Sequence, residues 1–330
     1  MQRRHFTLGL GAALGAPALS LAQQAGGGAT RIAGPVRIVV GFAPGGGTDV
    51  LARVIGQKLA TLWDTQVFVE NKPGATGVIA ADYVARQPND GTTLLMAHVN
   101  SNAIAPSLLK DTVKFDPNRD FSALSMVGVT PNVLTCATTQ PVRTLPDIVA
   151  LCRQKPGRVT FGSSGIGSAQ HLAFEMFKLA ARIDAVHVPY KGSGALIIDQ
   201  LGGQIDFAFD TMTAATPFMR QGKVIGIAQT RLKRAGSYPD LPTFADGGYP
   251  QVDAASWYGL VGPRGMAPGL VQRMNADINQ VLLMPDIRQK LDEFGAEDAG
   301  GPARRFADFI ASENVKWAKV IKDANVRVDS

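Results

Sequence analysis

Val36-Arg37-Ile38-Val39-Val40-Gly41-Phe42-Ala43-Pro44-Gly45-Gly46-Gly47-Thr48-Asp49 decides how this chain folds. Arg37 to Phe42 is apolar and β-branched, the composition of a buried parallel strand. Pro44 to Gly47 stops it, and Thr48 or Asp49 is placed to cap a helix carrying Val50, Val54, Ile55 and Leu59 inward. Glycines let backbone approach a partner closely, and the first-turn N–H groups of a helix have no partner within it. Those donors and the positive end of the helix dipole point the same way, so such a turn is a cradle for an anion. The other reading is an ordinary strand-to-helix turn.

The same unit recurs along the chain. Gln66–Glu70 reads as a strand, Asn71–Gly77 as its turn and Val78–Arg86 as a helix; Thr92–Ala97 is a third strand, followed by a polar turn from His98 to Asn102. Ser122–Val129 and Asn132–Ala137 are apolar segments separated by Thr130-Pro131. A second series follows: helix 145–154, strand 159–161, turn Gly162–Ser168, a helix, strand 185–188, turn Pro189–Gly194, helix 195–201, and strand 205–209 ending in Asp210-Thr211-Met212-Thr213. After strand 224–228, residues 237–252 form a long Pro-, Gly- and Asp-containing loop, Trp257–Val261 a strand, and 268–283, 286–294 and 302–321 three helices. Strand–turn–helix repetition predicts α/β layers with open parallel sheets, whose ligands collect at the carboxyl ends of the strands. Four turns have the composition of a neutral cradle: Gly45–Asp49, Gly74–Gly77, Ser163–Ser168 and Gly192–Gly194. None contains an arginine, so dipoles and hydroxyls would meet the ligand's charge.

Met1-Gln2-Arg3-Arg4-His5-Phe6, the apolar run Leu8–Leu21 and Ser20-Leu21-Ala22 read as an export signal cleaved near Ala22, twin-arginine or general secretory. Residues 23–34 read as a flexible tether. Removing residues 1–22 takes away two arginines, so the formal net charge falls from +6 to +4. The basic residues are scattered rather than striped, which excludes nucleic acid as a partner. No later segment has the apolar length of a membrane span, so a soluble, exported chain is expected. Cys136 and Cys152 are the two cysteines, expected as buried thiols or as a disulfide.

Catalytic patterns fail one by one. Gly162-Ser163-Ser164-Gly165-Ile166 misses the last glycine of a nucleophile elbow. The first glycine turn has neither the Gly-Lys-Ser/Thr ending of a phosphate loop nor a dinucleotide Gly-x-Gly-x-x-Gly. His5, His98, His171 and His187 have no metal-type spacing. No catalytic residue, metal or cofactor is therefore expected, and a hydrolase using Ser164 or Ser168 is the rival reading. His98 and His171 each sit beside a turn, as a satisfied histidine or a ligand contact. Asp49 reads as a cap, and Trp257 and Tyr258 as cleft wall or core. Asp210 would meet a carboxylate only through an amine, a water or a hinge hydrogen bond.

Seven blocks carry a resemblance: Ile38–Asp49, Val69–Ala75, Phe161–Ser168, Val186–Gly192, Gly202–Asp206, Leu241–Ala245 and Ser256–Leu260. In this order they resemble the Bug family, extracytoplasmic solute receptors of tripartite tricarboxylate transporters. The resemblance implies a two-lobed periplasmic binding fold, type II-like, each lobe a mostly parallel sheet flanked by helices, with the ligand between them. Lobe 1 is expected from residues 35–130 and 251–330, and lobe 2 from 131–250. It implies a monomer that captures a small carboxylate (organic acid, dicarboxylate, acidic amino acid or aromatic acid) through main-chain amides, hydroxyls and waters. It would pass the ligand to the transporter's large and small membrane subunits; the alternative is a sensory protein partnered by a sensor kinase. Carried over, the contacts are Ala43, Gly45, Gly46 and Thr48 on lobe 1 and Ser163, Ser164, Gly167, Ser168, Lys191, Gly192 and Ser193 on lobe 2. His98, Asp210 and Thr211 complete the expected site. The family often has Asn-Leu-Pro after the Asp210 position, whereas Thr211-Met212-Thr213 stands here.

Overall fold

The computed structural model describes residue 32 and residues 34–327. The expected export signal lies outside the described residues, as does most of the tether. Parallel strands β1 (Val36–Val40), β2 (Val67–Asn71) and β3 (Thr93–His98) are joined by helices α1 (Gly47–Trp63) and α2 (Val78–Ala85). The segment after β3 is not the expected polar turn. Asn100–Ile104 forms a buried π-helical segment that runs into the short α3 (Ala105–Leu108).

β4 spans Phe121–Ala137 without a break, where the sequence predicts two segments. Pro131 marks a change of neighbour, not an end. Up to Pro131 the strand pairs antiparallel with β9 (Ala255–Pro263); from Asn132 it pairs with β7 (Phe207–Thr211). A proline is tolerated where one ladder gives way to another because its missing N–H interrupts neither. The second half contains α4 (Leu145–Gln154), β5 (Thr160–Ser163), α5 (Ala169–Ala181), β6 (Val186–Pro189), α6 (Ser193–Leu201), β7, α7 (Met212–Arg220) and β8 (Val224–Gln229). The strands form one mixed sheet, β2-β1-β3-β9-β4-β7-β5-β6, with β8 also on β4. Parallel pairs lie in its outer parts, β1 with β2 and β3, and β5 with β6 and β7; the antiparallel pairs are central.

β9 lies between β3 and β4, so the C-terminal segment returns to the first half. There α8 (Pro268–Leu282), α9 (Pro285–Glu293) and α10 (Ala303–Asp323) follow. Trp63 Nε1 donates to Asp277 Oδ2 at 2.8 Å, tying α1 to α8. Glu313 on α10 accepts from Trp317 Nε1 (2.8 Å) and Trp257 Nε1 (3.2 Å), which satisfies two buried indoles. α1 turns Leu51, Ala52, Ile55 and Leu59 inward, leaving Val50 and Val54 half-buried; its inner face is one residue out of phase with the expected one at its start. Cys136 and Cys152 are free, buried thiols, and burial pushes both up to about 11.

Where the halves join, Asn132 is fully buried and uses its polar atoms in both directions. Its Oδ1 accepts from Gln170 Nε2 and Ser256 Oγ, both at 2.9 Å, and its Nδ2 donates to Ala254 O at 3.0 Å. Its N–H donates to Thr230 Oγ1 at 3.0 Å, and its carbonyl accepts from Thr230 N–H at 2.9 Å. Removing one partner strands the others without water, at about 1–3 kcal/mol per buried group. Asn132→Ala is therefore expected to lower stability by about 2–4 kcal/mol, read from urea unfolding; a loss under about 0.5 kcal/mol would contradict this role.

Candidate ligand-binding cleft

A cavity of about 1030 Å³ opens between the halves at the carboxyl ends of the strands. It is lined by the residues after β1, β2, β5 and β6 and by the last residues of β3 and β7. All four expected cradles contribute, through Gly45–Thr48, Gly74–Thr76, Ser164 with Gly165, and Gly192–Gly194.

The first loop is held by Asp49. Its Oδ2 accepts Gly45 N–H at 2.9 Å and Arg53 Nε at 3.0 Å, and its Oδ1 accepts Asn71 Nδ2 at 2.9 Å. Burial alone would raise the Asp49 pKa, but bonds from Arg53, Gly45 and Asn71 outweigh it and hold the carboxyl below its usual value. Asp49 braces the loop from inside the first turn. The helix cap itself is Gly46, with no side-chain cap bond, rather than Thr48 or Asp49. Gly45 has φ +84°, a backbone region glycine enters without strain. From the other half, α6 is capped by Gly192, φ +108°, again with no side-chain cap bond. By contrast Ser168 caps α5 through His171 N–H, and Thr211 caps α7 through Ala214 N–H. Two helices from opposite halves thus begin at the cavity with no side-chain cap bond on their first turns, the end of a helix at which N–H groups lack intrahelical partners.

Of the expected contacts, Ala43, Gly45, Gly46, Thr48, His98, Ser164, Lys191, Gly192, Ser193, Asp210 and Thr211 line the cavity. Ser163, Gly167 and Ser168 do not. Ser163 is fully buried, with Oγ 2.7 Å from His187 Nε2. Gly167 N–H donates to His171 Nδ1 at 3.1 Å, and Ser168 is occupied as the α5 cap. The composition of a Gly/Ser turn does not say which members face outward, and here Ser164 and Gly165 do. Neither proposed nucleophile has a base: Ser164 Oγ donates to Gln170 Oε1 at 2.8 Å, and Ser168 Oγ bonds its own helix.

His171 and His187 stack behind this loop with ring centroids 3.9 Å apart. Burial is the main cause that lowers their pKa values, to about 4 and about 3. His98 is lowered to about 3 by burial; its Nδ1 accepts Asn100 N–H, so it serves as a neutral Nε2–H donor. Phe42 and Tyr258 flank it, at 4.9 and 5.1 Å between centroids. Tyr258 lines the cavity, while Trp257 is core. Asp210 is 3% exposed, and burial pushes its carboxyl up to about 6. Residues the sequence did not single out also line the cleft, among them Phe42, Ile197, Phe218, Lys290 and Phe294. α7 brings Phe218 and α9 brings Lys290, with Phe294 at its C-terminal cap; neither helix carries a glycine-turn signal, and Pro217 inside α7 obscures that helix.

A cleft between two sheet halves, with helix ends from both at its wall, is the arrangement of a two-lobed binding protein. The chain belongs to the tripartite tricarboxylate transporter receptor family, whose model matches residues 51–326. It is 31% identical over 294 residues to protein BugT of Bordetella pertussis, covering 89% of this chain and 90% of that protein. Among solved structures it is similar to R. palustris Rpa4515 with adipate, at 32% identity and TM-score 0.85, covering 89% and 98% of the two chains. It is also similar to MatC from Rhodopseudomonas palustris with bound malate, at 27% identity and TM-score 0.81, covering 88% and 99%. The fold is that of periplasmic binding proteins, and the family's members are receptors, not enzymes.

The buried titrating groups give two opposite pH dependences. Asp210 has its folded pKa raised from 3.8 to about 6, so the fold prefers it neutral. Stability is lost as pH rises from about 4 through 6, and Asp210→Asn should gain on the order of 2–3 kcal/mol at pH 8 but little at pH 4. His187 has its folded pKa lowered from 6.5 to about 3, so its contribution is complete above pH 6.5 and is lost as pH falls toward 3. His187→Gln should therefore flatten the acid limb. Urea midpoints at pH 4, 6 and 8 for wild type and both variants check both signs.

Proposed function

We propose that this protein is a periplasmic receptor that captures a small dicarboxylate between its lobes and delivers it to the membrane subunits of a tripartite transporter. Lobe 1 is taken as residues 35–130 and 251–330, and lobe 2 as 131–250. The observation that carries the proposal is the pair of glycine-capped helix ends, α1 and α6, facing one cavity from opposite halves. Each end supplies first-turn N–H donors for one carboxylate, with charge-assisted bonds worth about 1.5–3 kcal/mol apiece. Phe42, Ile197, Phe218 and Phe294 add apolar wall to the same cavity, which suits an acid with a hydrocarbon spacer between its charges. The adipate and malate held by similar proteins belong to the same chemical class. A ligand touching both lobes favours the closed arrangement through its differential contacts, which is the signal a membrane partner reads. Export to the periplasm through a signal cleaved near Ala22 belongs to the same reading.

Calorimetric titration with adipate, malate, glutamate and benzoate is expected to give heat with at least one dicarboxylate; no heat from any overturns the proposal. A Cβ on Gly47 would lie 2.8 Å from Thr213 Cγ2 and 3.0 Å from Tyr258 Oη. Gly47→Ala is therefore expected to weaken binding at least about tenfold through steric overpacking of the cleft. Unchanged affinity would remove α1 from the site.

A further inference from the structure

Asp210 is out of place in a site built to hold anions. It lies at the end of β7, it is almost completely buried, and it lines the cavity. One of its oxygens takes both of its hydrogen bonds: Oδ1 accepts Ser193 Oγ at 2.5 Å and Thr211 N–H at 2.8 Å. Oδ2 accepts none among the described residues. Ser193 is the first residue of α6, so the carboxyl is tethered to one of the helix ends that would seat the ligand.

We propose that Asp210 makes ligand capture proton-linked: a carboxylate seated at the α6 end is held in part by a hydrogen bond from the neutral Asp210 carboxyl. This rests on the proposed function. Two adjacent carboxyl groups in a dry site do not both ionise, because like charges disfavour each other's charged forms. Burial already biases Asp210 toward its neutral form, and an arriving anion pushes it the same way. The proton comes from solvent and goes to Oδ2, and that O–H donates to a ligand carboxylate oxygen. No bond to carbon changes.

The groups around Asp210 leave it that role. Its hydrogen-bond partners are a hydroxyl and an amide, neither a cation. Tyr258 on β9 interacts with it electrostatically and has its own phenol raised by burial. His98 on β3 is kept neutral by burial. Lys191, before α6, and Lys290, on α9, line the same cavity; Lys290 is paired with Glu293 at 3.0 Å.

The test is calorimetry at pH 7.5 in Tris and in HEPES, which differ in ionisation enthalpy, with whichever of adipate, malate, glutamate and benzoate binds most tightly. The expected result is uptake of close to one proton per ligand. Affinity should also fall by up to roughly tenfold for each pH unit above 6. Asp210→Asn keeps an acceptor for Ser193 and Thr211 and places an N–H donor where the O–H would be; it should bind without proton uptake and without that pH slope. Heats that do not depend on buffer in wild type overturn the inference while leaving the receptor reading standing. An Asp210→Asn variant that keeps the wild-type slope also overturns it. Absence of binding by all four acids overturns the proposed function, and the inference with it. Should the variant fail to fold, the wild-type buffer comparison decides alone.

Discussion

The architecture depends on one buried side chain. Asn132 satisfies groups on β9, α5 and the residues flanking β8 while its own backbone lies in β4, so the junction of the halves is a closed hydrogen-bond network. Such a network is costly to leave half made, which restricts the chain to one way of passing from one half to the other. Through Gln170 it reaches Ser164 at the cavity wall. The order of the junction therefore extends directly to the wall of the cavity.

Electrostatics in the cleft follow from what is left uncapped. Where a side chain caps a helix, as Ser168 and Thr211 do, it takes up a donor that an anion would otherwise use. Glycine at positions 46 and 192 leaves those donors available and provides backbone freedom at the same time. Asp49 keeps the first loop in shape with its charge already met by Arg53, so it does not repel an anion as a bare carboxylate would. The cavity thus combines helix dipoles fixed in the scaffold with two lysines, Lys191 and Lys290, in its lining.

Much of this was legible in the sequence, because strand–turn–helix repetition is a local pattern and its glycine turns are conspicuous. The helix 145–154 and the three C-terminal helices were found nearly to the residue, since apolar periodicity and the flanking prolines mark them. What was missed is non-local. Pro131 reads as a break until it is known that β4 changes partners there. The polar run His98–Asn102 reads as a turn, yet it is buried and leads into a π-helical segment against which α10 packs, Asn314 Nδ2 donating to Asn102 O at 3.0 Å. Within Ser163–Ser168 the residue types are nearly uniform, and only the stacked His171–His187 pair behind the loop decides that Ser163 and Gly167 turn inward. Lys290 and Phe294 enter the cleft from a helix far along the chain.

The uninterrupted course of β4 has a mechanical meaning. The halves are not joined by a slack tether at this point but by a strand hydrogen-bonded on each side of Pro131. Any relative motion of the halves would bend or twist that strand and its neighbour around Ala255. The connection between the halves is in this respect a leaf spring rather than a swivel: a change in the angle between them would be felt along the ladder of the strand itself.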